Sequence, residues 1–234
     1  MNSYTNITKN YDLLMLNGYY NYDEITSALI SQIGDRKKIL ELGIGTGIVV
    51  ERLLKLVPRL EITGIDYTES MLEAARKKIE NKCKLIYTDV GNMQLKEDFD
   101  AIFSVGGVWY FIDNGNEYTF CSHIPDIDDN YKAMENVSKH LKKEGLLLFS
   151  IQGPHTNYEK VLPGGIIYSQ KIYTDGECFN KEYVFKTDGE TLKQICRYRL
   201  FNPVQTRALM EKAGFDFVNI EQKKNFFLCR KKSS

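Results

Sequence analysis

Between Lys38 and Ser150 short apolar runs alternate with amphipathic stretches, and this alternation restricts the possible folds more than any other feature. Ile39–Leu42 reads as a buried strand, and Val49, Val50, Leu53, Leu54 and Val57 share one face of the helix after it. Leu60–Ile65 is a second strand. The next helix carries Met71, Leu72, Ala75 and Ile79 in one stripe, with Ser70 and Glu73 as a capping box. Lys84–Tyr87 and Asp100–Val105 are strands three and four. Asn130–Leu141 is helical, and Gly145 stops it ahead of strand five, Leu146–Ile151. Strands that return through helices predict a parallel sheet with helices on both faces.

The C-terminal third changes character. Ile166–Tyr173, Lys181–Lys186 and Leu192–Phe201 read as strands joined by two TDGE turns, 174–177 and 187–190. Asp-Gly is a strong hairpin signal, so an antiparallel meander is expected. Asn202 and Pro203 open a helix as N-cap and first residue, Gly214 ends it, and Phe215–Gln222 with Asn225–Lys231 form a closing hairpin. With no linker or low-complexity tract, the expected organisation is a single domain over residues 1–234: an N-terminal lid (1–36), a core (37–152), an antiparallel elaboration (153–201) and a closing helix and hairpin (202–234).

Composition narrows the partners. Lys plus Arg and Asp plus Glu balance at 31 each, so net charge proposes neither nucleic acid nor a membrane surface. No apolar run approaches the ~20 residues that span a bilayer, and the N-terminus lacks the order of a signal peptide. Five scattered cysteines without CxxC spacing suit reduced thiols in a cytoplasmic protein. Monomer and homodimer both stay open.

The turn after strand one, within ILELGIGTGIVV (39–50), has glycines at 43, 45 and 47. In doubly wound sheets ligands lie beyond the carboxyl ends of the strands, and glycines there permit close backbone approach. A dinucleotide fingerprint asks for glycine at 48, where this chain has Ile48. Glu41, two residues before the first glycine, would repel a pyrophosphate and suits a ligand with positive charge. Asp66 and Asp89 stand at the tips of strands two and three, placed for ribose hydroxyls and an adenine amino group.

ELGIGTG (41–47), GIDYTESMLEAAR (64–76), YTDVGNM (87–93), DAIFSVGGVWYF (100–111) and HLKKEGLLLFS (140–150) together resemble the class I S-adenosylmethionine-dependent methyltransferases, in order and spacing, across about half the chain. The resemblance implies a Rossmann-like α/β fold: a seven-stranded sheet with helices on both faces, ending in an antiparallel hairpin, here with the meander added. It implies S-adenosylmethionine as cofactor, with Glu41, Gly43, Gly45, Thr46 and Gly47 flanking the methionine part and Gly106 near it. Asp66 would bind the ribose, Tyr67 and Met71 border the adenosine, and Asp89 and Val90 recognise adenine. The meander and the Tyr-rich entry resemble, in layout, the small-molecule branch, with sugar N-methyltransferases and glycine or sarcosine methyltransferases as the nearest analogues.

On the acceptor side, Trp109 and Tyr110 after strand four are expected to wall a pocket or stabilise a cation. Gln152 and His155 follow strand five, and His155 is the histidine best placed to be a base. Tyr11 and Tyr22 are expected contacts from the lid. His123 falls in Ile112–Asp129, read as an insertion that lids the acceptor pocket. Asp128 and Asp129 are explained by the helix dipole, and no metal site is expected. The expected function is methyl transfer to a small soluble acceptor, nitrogen slightly ahead of oxygen for want of a metal site or acid–base pair. The rivals are a nicotinamide oxidoreductase and an inactive cofactor-binding scaffold subunit.

Overall fold

The computed structural model describes residues 4–233. Residues 1–3 of the expected lid, and residue 234, lie outside the described residues. The N-terminal segment is a 3-10 turn (Thr5–Ile7), α1 (Thr8–Leu16) and α2 (Tyr22–Ile33). The alternating part follows as β1 (Lys38–Leu42), α3 (Ile48–Leu56), β2 (Glu61–Asp66), α4 (Glu69–Ile79), β3 (Lys84–Tyr87) and β4 (Phe99–Ser104). Then come β5 (Trp109–Asp113), β6 (Tyr118–Ser122), α5 (Ile127–His140) and β7 (Leu141–Gln152). The chain finishes with β8 (Tyr158–Leu162), β9 (Ile166–Asp175), β10 (Cys178–Thr187), β11 (Glu190–Phe201), α6 (Pro203–Lys212), β12 (Phe215–Ile220) and β13 (Phe226–Lys231).

Strands β3, β2, β1, β4 and β7 are parallel neighbours in that order, β13 lies antiparallel on β7, and β12 on β13. This is the expected seven-stranded sheet with its antiparallel hairpin. Alternation along each strand divides the core in two. Ile39, Ala101, Phe103, Leu146 and Leu148 face one cluster, with the apolar stripes of α2, α3 and α4. Leu40, Leu42, Ile102, Leu147 and Phe149 face the other, with α5 and α6. Helices on both faces are needed because both sets of alternate side chains are apolar.

The end of β7 joins a second sheet. Ile151 and Gln152 pair with Phe111 and Ile112 of β5, and from there β5, β6, β11, β10, β9 and β8 run in order as antiparallel neighbours. The meander is thereby fixed at the carboxyl edge of the parallel sheet, where a ligand would sit.

Four local expectations change. Ile112–Asp129 is not a lid insertion: its first half is the end of β5, the turn and β6 of a hairpin that begins at Trp109, and the Asn114-Gly115 turn between two aromatic-rich runs was the available signal. Ser70 and Glu73 make no capping box, since α4 has Thr68 as N-cap without a side-chain bond and Ser70 instead meets Thr8 at 2.8 Å. Gly145 does not stop the helix: α5 ends at His140, the chain passes directly into β7 at Leu141, and Gly145 lies inside that strand. β8 adds a strand the alternation did not show. The expected caps of α6 are present, with Asn202 and Gln205 closing a capping box.

Trp109 does not face a pocket. It is fully buried in the second cluster, and its indole N–H donates to Asn130 Oδ1 at 2.8 Å. The side chain after β4 alternates away from the ligand edge, so Trp109 packs while Tyr110 faces the opposite side. Trp109→Phe removes the donor inside a dry core, and urea unfolding should show about 1–3 kcal/mol of destabilisation. Ligand binding should be unchanged.

Candidate active site

A cleft of about 880 Å³ opens at the carboxyl ends of β1 to β4. Glu41 at the end of β1 is only 2% exposed, and its Oε2 has no hydrogen-bond partner among the described residues. Burial, and then the nearby Asp66, push its carboxyl well above the usual carboxylate range. Asp66 accepts from Gly45 N at 2.9 Å and Thr68 N at 2.8 Å, which binds the glycine turn to the tip of β2. Burial raises its carboxyl also, against those backbone bonds. Asp89 accepts from the Asn92 backbone and side-chain nitrogens at 3.0 and 2.9 Å, so it shapes its own turn as well as lining the cleft.

Gly43 is required by close approach, since a Cβ there would stand 2.9 Å from Gly107 Cα. Gly47 serves packing instead: a Cβ would stand 2.6 Å from Ile79 Cδ1, and the residue does not line the cleft. Thr46, Tyr67, Met71, Val90 and Gly106 do line it. Among the described residues the lining holds Glu41, Asp66 and Asp89 and no lysine or arginine. A pyrophosphate would find no cation here, whereas a cationic ligand meets an orphaned buried carboxyl oxygen. The cleft fits S-adenosylmethionine, which carries a sulfonium and an ammonium.

The N-terminal segment closes over the cleft, contributing Tyr4, Tyr11 and Tyr22. Asp12 fastens it, accepting from Thr46 Oγ1 of the glycine turn and from Lys78 Nζ of α4 at 2.5 Å. Tyr4 OH meets Tyr198 OH at 2.7 Å on the meander side. Asp12→Ala should weaken S-adenosylhomocysteine binding about tenfold by calorimetry, the charge-assisted bonds being worth about 1–2 kcal/mol. It should also speed proteolysis around α1.

Next to the cleft is a narrow, half-open chamber of about 270 Å³. Tyr4, Tyr11, Gly106 and His123 line both spaces. Tyr19, Tyr20, Tyr110, Tyr183 and Tyr198 complete an aromatic wall, with Met15, Gln152 and His155. The structure thus brings together Tyr11, Tyr110, His123, Gln152 and His155 of the expected acceptor residues. Tyr22 lines the cleft and not the chamber, and Trp109 lines neither. Burial and the Lys181 ammonium draw His155 and His123 down to about 3, so both rings are neutral at physiological pH. The His123 ring is held by the Gly106 backbone. His140 is structural, accepting from Leu95 N at 3.1 Å and bonded to Asn136 O at 2.8 Å.

Several wall residues escaped the sequence reading: Tyr4, Tyr183, Tyr198 and, behind them, Lys181. Lys181 is fully buried, and its Nζ donates to Tyr19 OH at 2.7 Å. Its signal was visible, because Phe179, Lys181, Tyr183 and Phe185 alternate along β10 on the buried face. A lysine in that row is out of place for a solvated strand. Among the described residues no group of three or more His, Cys, Asp or Glu could hold a metal ion. No helix of the described residues is long and apolar enough to cross a membrane.

Residues 39–145 match a family model described as a methyltransferase domain. Malonyl-[acyl-carrier protein] O-methyltransferase of Bacillus anthracis is 34% identical over 123 residues, covering 52% of this chain and 40% of that protein. Demethylmenaquinone methyltransferase of Thermotoga maritima is 35% identical over 89 residues, 38% of each chain. The chain therefore spans about two fifths of the length of the first of these relatives. Among solved structures, an S-adenosylmethionine-dependent methyltransferase from Clostridium acetobutylicum superposes with a TM-score of 0.74 at 17% identity, over 98% of this chain and 99% of that one. An amino pentose methyltransferase from Micromonospora echinaspora gives 0.72 at 15%, over 96% and 95%. Such low identities speak for the fold, here along the whole chain including the meander. With the family model on residues 39–145 and the acid-lined cleft behind its glycine turn, this part of the chain is a methyltransferase domain, and the fold around it is similar to that of S-adenosylmethionine-dependent methyltransferases.

Proposed function

We propose that the protein transfers a methyl group from S-adenosylmethionine to an oxygen or nitrogen of a small acceptor held in the tyrosine chamber. The observation that carries this reading is the shared wall: the cleft with the orphaned Glu41 carboxyl and the tyrosine-lined chamber meet at Tyr4, Tyr11, Gly106 and His123. When bound, the cofactor supplies an electrophilic methyl on a positively charged sulfur. The chain's contribution is alignment and exclusion of water by the lid, which lowers the entropic part of the barrier. Tyr19, Tyr20, Gln152 and His155 also line an outer groove, which gives the acceptor an approach separate from the cofactor's.

The curated relative named above acts on a malonyl group at oxygen and the structural neighbour on an amino pentose, and both support a small reacting group over a nucleobase in a duplex. All five cysteines are unpaired, consistent with the cytoplasm as the place of action. Lid, core, meander and closing hairpin are proposed to work as one domain.

Incubation with methyl-labelled S-adenosylmethionine and cell extract, followed by mass spectrometry, should yield a labelled small molecule. Tight NADH binding without S-adenosylhomocysteine binding would overturn the reading. Cofactor binding without any labelled product in a broad metabolite extract would favour the inactive scaffold.

A further inference from the structure

Among the described residues the chamber wall contains no aspartate or glutamate, yet a lysine stands directly behind it. Lys181 Nζ lies over the rings of Tyr19 and Tyr183, 5.0 and 4.7 Å from their centroids. It reaches His155 Nδ1 at 3.4 Å, and Nε2 of the same ring lies 3.0 Å from the Tyr110 hydroxyl. Glu182, next along β10, takes the alternate face and pairs with Lys193 at 2.5 Å. An ammonium buried without a counter-ion is costly, whereas a neutral amine is tolerated and is a strong hydrogen-bond acceptor. Lys181, His155 and Tyr110 form one continuous hydrogen-bonded line from the interior of the meander to the chamber.

We propose that Tyr110, His155 and Lys181 form a proton relay that ionises a phenolic or enolic hydroxyl held in the chamber, with the Lys181 amine as the final proton acceptor. The proposal rests on the methyltransferase reading and fixes the acceptor class within it. The acceptor O–H proton passes to the Tyr110 oxygen as the Tyr110 proton passes to His155 Nε2. The proton on Nδ1 passes to the lone pair of Lys181. Tyr110 and His155 end with the protons and charge they began with, the imidazole having exchanged tautomers. One O–H bond is broken and one N–H bond formed. The electron pair left on the acceptor oxygen is the nucleophile, and the new ammonium is its counter-charge.

The surrounding groups agree with this direction of transfer. Burial draws Lys181 down to about 7, placing it between its two protonation states at neutral pH. His155, held near 3, passes a proton without storing it. The other titratable groups facing Lys181 are Tyr19 from the lid, Tyr183 from its own strand, Cys121 from β6, Cys196 from β11, and His123. Burial pushes the cysteines to about 12 and about 11 and the tyrosines upward, and His123 is neutral, so none of these groups changes charge near neutrality. A protonated amine acceptor would find no carboxylate in the chamber and would face the lysine. A carboxylate acceptor has no proton to give, which would leave the relay without a role.

Two measurements test this. In protein labelled with 13C-lysine, one lysine Cε resonance should titrate near neutrality, and Lys181→Met should lack it. If no lysine titrates below about pH 9, the relay is wrong whatever the acceptor. Transfer from labelled S-adenosylmethionine is then compared for phenol, benzylamine and benzoate. Phenol should be labelled, with a rate that rises with pH through the lysine midpoint. Lys181→Met and Lys181→Arg should both lose about 100-fold or more in rate, with S-adenosylhomocysteine affinity held within about twofold of wild type. Retention of activity by the arginine variant, a rate that falls with rising pH, or preference for benzylamine or benzoate would each overturn the relay. If the unaltered protein fails to bind S-adenosylhomocysteine, the methyltransferase reading itself falls. Should none of the three probes be labelled, the lysine titration decides.

Discussion

Glu41→Gln should lower the affinity for S-adenosylmethionine and S-adenosylhomocysteine about 100-fold and, without ligand, raise the melting temperature. A hundredfold is about 2.7 kcal/mol, within the range for hydrogen bonds to a charged group in a dry site. The carboxyl is nearly fully enclosed with an unpartnered oxygen, and its acidity is suppressed first by burial and then by Asp66. A carboxyl whose folded pKa is raised costs stability as pH rises above its unfolded value, because ionisation is then easier in the unfolded chain. The amide escapes that cost, so the gain in melting temperature should grow as pH rises from the acid range toward neutrality. Cofactor binding should draw the carboxyl back toward its ionised form and release protons, visible as binding enthalpies that differ between buffers. An affinity unchanged within about twofold would show that the carboxylate does not meet the ligand.

Lys181→Met should give a more stable protein, most clearly at low pH. The ordinary lysine value of 10.5 falls to about 7 in the fold, which sets an upper limit of about 5 kcal/mol on the cost of keeping the charged form buried. The lost bond to Tyr19 offsets part of this, leaving an expected gain of about 2–3 kcal/mol and about 5–10 °C in melting temperature at pH 6. Between about pH 7 and 10.5 the unfolded wild-type chain holds a proton that the folded one does not, so wild-type stability rises with pH. The gap between variant and wild type should therefore be widest below pH 7 and close toward pH 10. A gap independent of pH would show that Lys181 is not held near neutrality. A more stable variant with the relay removed would mark Lys181 as a residue kept at the expense of stability.

Much of the cofactor side was legible in the sequence. Glu41, the glycine turn, Asp66 and Asp89 are local features of strand tips, and strand alternation with helical periodicity suffices to place those tips on one edge. Gly47 was legible as a glycine but not as to purpose, because its contact is with Ile79, a helix away. The β5–β6 hairpin is signalled only by its Asn114-Gly115 turn, because its aromatic run fits a pocket wall as well as a strand. The strand also decides Trp109: neighbouring side chains in a strand face opposite sides, so Trp109 and Tyr110 cannot both line one chamber.

The acceptor side was far less legible. Tyr4, Tyr110, His155, Lys181 and Tyr198 come from five separate stretches, and no spacing rule joins them. The nitrogen tilt rested on the lack of an acid–base pair in the sequence, and the structure supplies candidates by folding β10 against the loop after β7. Period and local turn chemistry thus determined the parallel sheet, its helices and the acid-lined cleft, because those depend on interactions within a few residues or between adjacent strands. Only the tertiary structure decided the chamber. Its walls meet because Ile151 and Gln152 leave the parallel sheet to pair with β5, and that carries the meander to the ligand edge. The state of Lys181 follows from the same event, since only burial in that wall removes its water.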